Sequence, residues 1–179
     1  MKREHSTQLT FLSDDPTFKN SKECDSTSDF VLKIYIDGAA RNNPGPSGAG
    51  ICFMQAGEVV FEQGFFLGNR TNNQAEYFAL LLAVFFAREY VKPHAKIIVY
   101  SDSQLLVRQM VGMYKVRDPF LKKMQAAAYD IIHAYQVTFC HIYREHNVRA
   151  DALANKGIDN AIILPKKFVD LLAKYTISQ

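Results

Sequence analysis

Four acidic residues occupy positions from which their carboxylates could converge on one site. Asp37 follows an apolar, β-branched run, and Asp102 follows a second such run later in the chain. In open α/β sheets, functional groups gather at the carboxyl ends of such strands. Glu76 and Asp151 each lie near the start of a predicted helix, where the positive end of the helix dipole favours an anionic side chain. The placement therefore allows a single acidic cluster.

Each acid taken alone also fits an ordinary structural role. Glu76 and Asp151 fit solvated surface acids, and Asp102 fits a helix N-cap. Asp37 is harder to assign in this way, because an acid that ends a buried strand must find a partner. A converging set would need cations, and oxygen ligands without His or Cys select Mg²⁺ or Mn²⁺. Two such ions about 4 Å apart can activate a water and stabilise the leaving 3′ oxygen in phosphodiester hydrolysis.

The composition is that of an ordinary globular domain. The chain has 179 residues, of which 48% are hydrophobic and 22% are charged. It contains no run of roughly 18 to 20 apolar residues that could span a bilayer and no apolar N-terminal signal, so we expect a cytoplasmic protein. Cys24, Cys52 and Cys140 are scattered, which favours free thiols over disulfides and leaves no cluster for zinc.

The charge of the chain is unevenly distributed. The net charge is +3. Residues 1–29 carry four basic and six acidic side chains, a balance of −2, so the remaining 17 basic and 12 acidic groups of residues 30–179 give +5. A mild positive charge is compatible with a phosphate-rich partner, although many basic proteins never bind nucleic acid.

The chain divides into three predicted segments. Residues 1–29 are rich in Ser, Thr, Asp and Lys, and we expect a flexible tail in which Phe11 and Leu12 could dock. One folded domain is predicted over 30–160, followed by a C-terminal helical extension over 161–179.

Within the domain, apolar periodicity and turn residues predict alternating elements. Thr71 and Gln74 form a capping-box pattern, Asn147 is predicted to cap the last helix of the domain, and Gly157 to end it. The order predicts an α/β fold: a five-stranded mixed sheet, antiparallel meander first and parallel strands after it, flanked by helices. Strands are predicted at about 30–36, 48–55, 59–67, 96–101 and 137–143, and helices at about 71–90, 105–110, 120–134, 147–157 and 166–175.

Four segments together resemble the motifs of type 1 ribonuclease H. They are Tyr35-Ile-Asp-Gly-Ala-Ala-Arg-Asn-Asn-Pro-Gly-Pro46, Thr71-Asn-Asn-Gln-Ala-Glu76, Tyr100-Ser-Asp-Ser-Gln104 and Arg144-Glu-His-Asn-Val-Arg-Ala-Asp-Ala-Leu-Ala154. They stand in the family's order over about residues 30–160, and the predicted elements match the ribonuclease H-like fold. The resemblance implies an endoribonuclease that hydrolyses the RNA strand of RNA–DNA hybrids with two metal ions, leaving 3′-hydroxyl and 5′-phosphate ends.

The resemblance also assigns roles to the four acids. Asp37 would bridge two Mg²⁺ ions, for which Mn²⁺ can substitute. Asp151 would complete one metal site, and Glu76 and Asp102 the other. Such close carboxylates would repel one another unless divalent ions compensated their charge.

Five further residues match family positions that contact the substrate. Asn43, Asn72, Asn73 and Gln104 would address the minor groove, where amide groups can distinguish RNA by its 2′-hydroxyl. Thr71 would hold a phosphate of the DNA strand. Turn and cap chemistry is the alternative for Thr71, Asn43 and Asn72, and the two roles can coexist.

The sequence departs from some family members in two places. The histidine that assists product release in many members has no loop counterpart, and His146 or Glu145 could take its place; a solvated loop residue is the alternative. The link from Met113 to Pro119 lacks a basic helical protrusion, although Lys115 and Arg117 could contact phosphate. Weaker and more salt-sensitive binding of the hybrid would follow.

Three hypotheses for the function remain open. The leading one is a monomeric hybrid-specific nuclease that needs no small-molecule cofactor and no membrane. A second is a nuclease with relaxed choice that also cleaves double-stranded RNA or RNA–DNA junctions. A third is a catalytically silent nucleic-acid-binding module, which the retention of all four acids argues against, because a cluster of carboxylates repels phosphate.

Overall fold

The computed structural model describes residues 10–13 and 31–177. Cys24 and most of the predicted N-terminal tail therefore lie outside the described residues. Among the described residues, Cys52 and Cys140 are buried and form no disulfide, as the sequence predicts for these two positions. No helix in the described part of the chain is long and apolar enough to cross a membrane.

The centre of the molecule is a mixed β-sheet. The meander β2–β3–β4 is antiparallel, whereas β5 and β6 continue from β2 as parallel strands. This confirms the predicted five-stranded mixed sheet. A short strand near the N-terminus, β1, adds a sixth strand parallel to β6. The strands are β1 (Thr10–Ser13), β2 (Leu32–Ala40), β3 (Gly45–Gln55), β4 (Glu58–Arg70), β5 (Lys96–Ser101) and β6 (Gln136–His141), in the order β1-β6-β5-β2-β3-β4.

In the part of the chain that the structure describes, five helices flank the sheet. The first helix begins with the predicted capping box, since Thr71 Oγ1 accepts from the Gln74 amide and the Gln74 side chain accepts from the Thr71 amide. Its residues are nearly all buried, because it packs on β2 and β3 on one side and against α3 on the other. The helices are α1 (Asn72–Ala87), α2 (Gln104–Met110), α3 (Pro119–Ile132), α4 (Val148–Asp159) and α5 (Lys166–Lys174), with a 3₁₀ turn at Arg144–His146 before α4.

The helix α4 packs on the opposite face of the sheet, at unusually close range. A Cβ at Gly50 would lie 2.0 Å from the Ala150 carbonyl oxygen, and one at Gly64 would lie 2.0 Å from the Leu153 carbonyl oxygen. Glycine in β3 and β4 thus lets the helix backbone touch the strand backbone. Gly50 is the register partner of Asp37 in β2, so this contact brings the first turn of α4 beside Asp37.

The prediction that Gly157 ends this helix is wrong. Gly157 lies inside α4, which continues to Asp159. A Cβ at Gly157 would meet the Phe65 backbone at 2.5 Å, so glycine is required here for close helix–strand packing.

The C-terminal helix α5 lies where the apolar spacing predicts a helix. Phe168 and Leu172 are buried in the same hydrophobic core as α1, and the Phe168 ring lies 5.4 Å from that of Phe85. The segment before it is tied to the edge strand, because the Phe66 amide donates to the Ile162 carbonyl at 2.7 Å. The extension therefore packs directly on the domain.

Replacing Gly50 with Ala tests the close packing of α4 on the sheet. The added Cβ cannot coexist with the Ala150 carbonyl, so the helix must shift, and we expect the free energy of unfolding to fall by about 1–3 kcal/mol. Urea unfolding measures the change. Ala152→Ser, which adds one atom on the exposed side of the same helix, should stay within about 0.5 kcal/mol of the wild type. Equal midpoints for Gly50→Ala and the wild type would contradict the packing described.

Candidate active site

Asp37 and Asp102 meet at one edge of the sheet because their strands are adjacent and parallel. Tyr35 of β2 is paired with Tyr100 of β5, and each acid follows its tyrosine by two residues. Asp37 is buried, with 5% of its surface exposed, and Asp102 is partly buried. The carboxyl ends of the two strands thus place both carboxylates on the same edge, as predicted.

Glu76 reaches this edge from the first turns of α1. A Cβ at Gly38 would lie 2.1 Å from the Glu76 amide nitrogen, so the helix backbone rests directly on β2 just beyond Asp37. Glu76 is 5% exposed, and its carboxylate accepts a hydrogen bond from the Gly38 amide. Its Oε2 atom is buried and has no hydrogen-bond partner among residues 10–13 and 31–177. The alternative of a solvated surface acid is therefore wrong for Glu76.

Together these three acids form a close cluster. Asp37, Glu76 and Asp102 each offer one carboxylate oxygen, and the three oxygens lie within 4.8 Å of one another. Burial and the negative charges of Asp102 and Asp151 raise the pKa of Asp37 to about 7, and burial is the largest of these causes. Burial and the charges of Asp37 and Asp102 likewise raise the pKa of Glu76 well above its ordinary value. The positive charge of Arg144 lowers the pKa of both residues, but it does not offset burial and carboxylate repulsion.

This donor set fits a divalent cation. It consists only of carboxylate oxygens, which are the ligands that Mg²⁺ and Mn²⁺ prefer. The buried Oε2 of Glu76 has a lone pair that no protein donor among the described residues satisfies. A cation would supply the missing partner and compensate the repulsion that raises both pKa values.

Asp151 lies beside this cluster and is not part of the close group of three. Its charge still acts on Asp37. The Asp151 side chain is 28% exposed, and its Oδ1 accepts from Arg144 Nη2 at 2.7 Å. The structure thus brings the four predicted acids to one region, with three in close contact and the fourth in an ion pair.

The structure assigns the nearby caps differently from the sequence. Ser103 caps α2, since its Oγ accepts from the Leu106 amide, and Asp102 is left free of that role. Asn147 occupies the N-cap position of α4, as predicted, and its carbonyl accepts from the Asp151 amide at 3.1 Å, but its side chain makes no cap bond.

Instead, Asn147 ties the acidic edge together. Its Nδ2 donates to the Ile36 carbonyl at 2.8 Å and to Asp102 Oδ1 at 2.9 Å, and the residue is 1% exposed. It joins β2, just before Asp37, to the carboxylate at the end of β5. Sequence reasoning missed this positioning role; the only signal was the position of Asn147 four residues before Asp151 in the fourth motif.

The residues predicted to contact substrate surround the site. Asn43 Oδ1 accepts from the Asn72 amide at 3.0 Å, which joins the β2–β3 loop to the start of α1. Asn43, Asn72, Asn73 and Gln104 are exposed, and Thr71 serves as the cap of α1. The cap role is therefore confirmed for Thr71, and the Asn43 side chain accepts from the first amide of α1. Contact with substrate stays a prediction for all five.

His146 and Glu145 lie in the exposed 3₁₀ turn before α4. Within residues 31–177, neither side chain forms a hydrogen bond or an ion pair with the carboxylates. Their part in product release therefore stays a prediction. Arg144, in the same turn, is the residue that does contact an acid of the site, and the sequence analysis assigned it no role.

Comparison with known proteins assigns the family. Residues 35–157 match the family model described as reverse transcriptase-like. A ribonuclease H of Methylobacillus flagellatus is 33% identical over 147 residues, which cover 74% of this chain and 94% of that relative. The chain belongs to the ribonuclease H family. The resemblance carried by the four sequence motifs is thereby confirmed.

Solved structures agree with this assignment. Ribonuclease H1 of Halobacterium salinarum is 37% identical with a TM-score of 0.68, over 73% of this chain and 99% of that one. LC11-RNase H1 in complex with an RNA/DNA hybrid is 40% identical with a TM-score of 0.68, over 73% and 98%. The ribonuclease H-like fold is therefore confirmed.

Some curated relatives are longer than the shared domain. The match to ribonuclease HI of Halobacterium salinarum, 38% identical, covers 65% of that protein. The match to the bifunctional protein Rv2228c of Mycobacterium tuberculosis, 34% identical, covers 36%. The shared part is thus the domain itself.

Replacing Asn147 with Ala should destabilise the protein. The change removes two buried hydrogen bonds and leaves the Ile36 carbonyl without a donor, so we expect a loss of about 1–3 kcal/mol in the free energy of unfolding. Denaturant unfolding followed by circular dichroism measures it. Asn160→Ala, at the exposed end of the same helix, is the control and should change little. Similar losses for both variants would argue against a special role for Asn147.

Replacing Asp102 with Asn should stabilise the protein in chelator at neutral pH. A carboxyl whose pKa rises on folding stabilises the folded state fully below its unfolded pKa of about 3.9, and this contribution is lost as pH rises through the folded value. In the folded protein the pKa of Asp37 is raised to about 7. Removing the charge of Asp102 lowers that value, so less stability is lost.

The comparison is urea unfolding of the wild type, Asp102→Asn and the exposed control Asp170→Asn in chelator at several pH values. The midpoint of Asp102→Asn should exceed that of the wild type at pH 7.5, and the difference should shrink towards pH 4. A pH-independent difference would count against electrostatic repulsion as the cause.

Proposed function

We propose that this protein is a metal-dependent endoribonuclease that hydrolyses the RNA strand of RNA–DNA hybrids. The observation that carries the proposal is the close cluster of Asp37, Glu76 and Asp102 at the carboxyl edge of the sheet. Membership of the ribonuclease H family supports the class of reaction. The related LC11-RNase H1, whose structure holds an RNA/DNA hybrid, supports the class of substrate.

Two Mg²⁺ ions, or Mn²⁺ in their place, are the proposed cofactors. Asp37, Glu76 and Asp102 would hold one, and Asp37 with Asp151 the other. When bound, such ions stabilise the negative charge on the attacking and leaving oxygens of an in-line displacement. We propose cleavage that leaves a 3′-hydroxyl and a 5′-phosphate.

The contribution of the protein is to hold the ligands in place before substrate arrives. Asn147 fixes the Asp102 carboxylate relative to β2, and the Gly38 amide fixes that of Glu76. The burial of Asp37 and Glu76 keeps water from screening their charges. Pre-organised ligands need no reorganisation during the reaction, which is the largest advantage an electrostatic site can have.

Substrate selection is proposed to come from amides around this cluster. Asn72 and Asn73 begin α1, which carries Glu76, and Gln104 begins α2 just after Asp102. Their exposed amides can donate to and accept from a 2′-hydroxyl, which DNA lacks. Asn43 would add a contact from the neighbouring loop, and Thr71 would hold a phosphate of the DNA strand. His146 or Glu145 would assist product release from the exposed turn.

Cleavage of labelled substrates tests this proposal. The protein is incubated with an RNA–DNA hybrid, double-stranded RNA and single-stranded RNA, each with Mg²⁺, Mn²⁺ or chelator. We expect metal-dependent cleavage of the hybrid, with product 3′ ends that a polymerase can extend. No metal-dependent cleavage of the hybrid would refute the proposal, and equal rates on double-stranded RNA would replace it with a nuclease of relaxed substrate choice.

The Asp102→Asn variant identifies the site within the same assay. It keeps an acceptor for Asn147 and removes one cation ligand, so we expect cleavage to fall by at least about a hundredfold, as for the loss of a key electrostatic group. The exposed Asp170→Asn variant should retain wild-type activity. A substantially active Asp102→Asn protein would exclude the assigned metal site.

A further inference from the structure

Arg144 places a positive charge next to the acidic cluster. Its Nη2 donates to Asp151 Oδ1 at 2.7 Å, and the other carboxylate oxygen of Asp151 lies 3.4 Å from Asn155 Nδ2. Both oxygens of Asp151 thus accept from protein donors, whereas Glu76 Oε2 has no donor among the residues that the structure describes. The acids of the site therefore differ in the hydrogen-bond donors that surround them.

The arginine is held by its backbone while its side chain extends into solvent. The Asn147 amide donates to the Arg144 carbonyl at 2.9 Å, which fixes the 3₁₀ turn beside α4. The side chain is 78% exposed. An exposed guanidinium on a long stem can leave its partner at small cost, since exposed ion pairs contribute little stability.

The charge of Arg144 also reaches the other acids. Burial dominates the raised pKa values of Asp37 and Glu76, and the positive charge of Arg144 acts in the opposite direction on both. The guanidinium is thus close enough to stabilise the whole cluster electrostatically. A divalent cation at the same place would stabilise the cluster more strongly. The guanidinium and the divalent cation would repel each other if both stood there.

We propose that Arg144 competes with a divalent cation for the Asp151 carboxylate, so that the two cation positions of the site are unequal. The position held by Asp37, Glu76 and Asp102 would bind first. The position that needs Asp151 would bind its cation second and more weakly, because Arg144 must first leave the Asp151 carboxylate. This inference rests on the cation sites of the proposed function.

Calorimetric titration of the full chain with Mg²⁺, and separately with Mn²⁺, measures both affinities without using cleavage. Three proteins are compared: the wild type, Arg144→Gln and Arg149→Gln. Arg149 is a matched control, because it is also exposed and its Nε is paired with Glu62 at 2.6 Å, outside the carboxylate cluster. The two variants lose the same formal charge.

We expect two unequal sites in the wild type. In Arg144→Gln the weaker site should bind about three- to tenfold more tightly, a range set by an exposed ion pair and the screened repulsion of a nearby divalent charge. The stronger site should change less, and Arg149→Gln should resemble the wild type. Arg144→Lys, which keeps the charge but loses the planar fork, should fall between the wild type and Arg144→Gln.

Several results would overturn the inference. They are an unchanged or weaker second site in Arg144→Gln, equal tightening in Arg149→Gln, or a single site in the wild type. Each of these can occur while hybrid cleavage proceeds normally, in which case the proposed function stands. Absence of both cation binding and cleavage would instead refute the proposed function.

Discussion

Repulsion between buried carboxylates is the constraint on which the rest of the site depends. Asp37 and Glu76 are each only 5% exposed, and an oxygen of each lies within 4.8 Å of one from Asp102. Water cannot screen such charges well, so holding them together costs free energy that the remaining structure must supply. The apolar layer between α1 and the sheet provides that stability, and it fixes both strand and helix so that the acids cannot separate.

Two kinds of close contact keep the acidic edge in register. Glycine at Gly38 and Gly50 lets α1 and α4 approach the sheet at backbone distance, which delivers Glu76 and the first turn of α4 to Asp37. Asn147 then joins the ends of two parallel strands with one amide group. The site is therefore built from the rigid parts of the fold, which suits a reaction that depends on pre-organised charge.

Structure that is determined by nearby residues could be predicted from the sequence. The capping box of α1 and the strand at 96–101 were predicted correctly, because cap chemistry and apolar runs act within a few residues. The predicted end of α4 at Gly157 was wrong, and the side-chain partners of Asn147 were missed. Asn147 stands at the N-cap of α4, but its side chain bonds to the Ile36 carbonyl and to Asp102 instead of the helix. Gly157 lies within α4 against the Phe65 backbone, and all of these partners are distant in the chain.

The sequence by itself determined the family and the mixed α/β fold and predicted the four acids of the site, because four ordered motifs carry all three. Only the tertiary structure decided how those acids differ. Asp37, Glu76 and Asp102 are packed together by adjacent strands and a helix resting on glycine, whereas Asp151 remains partly exposed and paired with Arg144. Distances between side chains from separate elements depend on how the helices pack on the sheet, and no local pattern of residues encodes that packing.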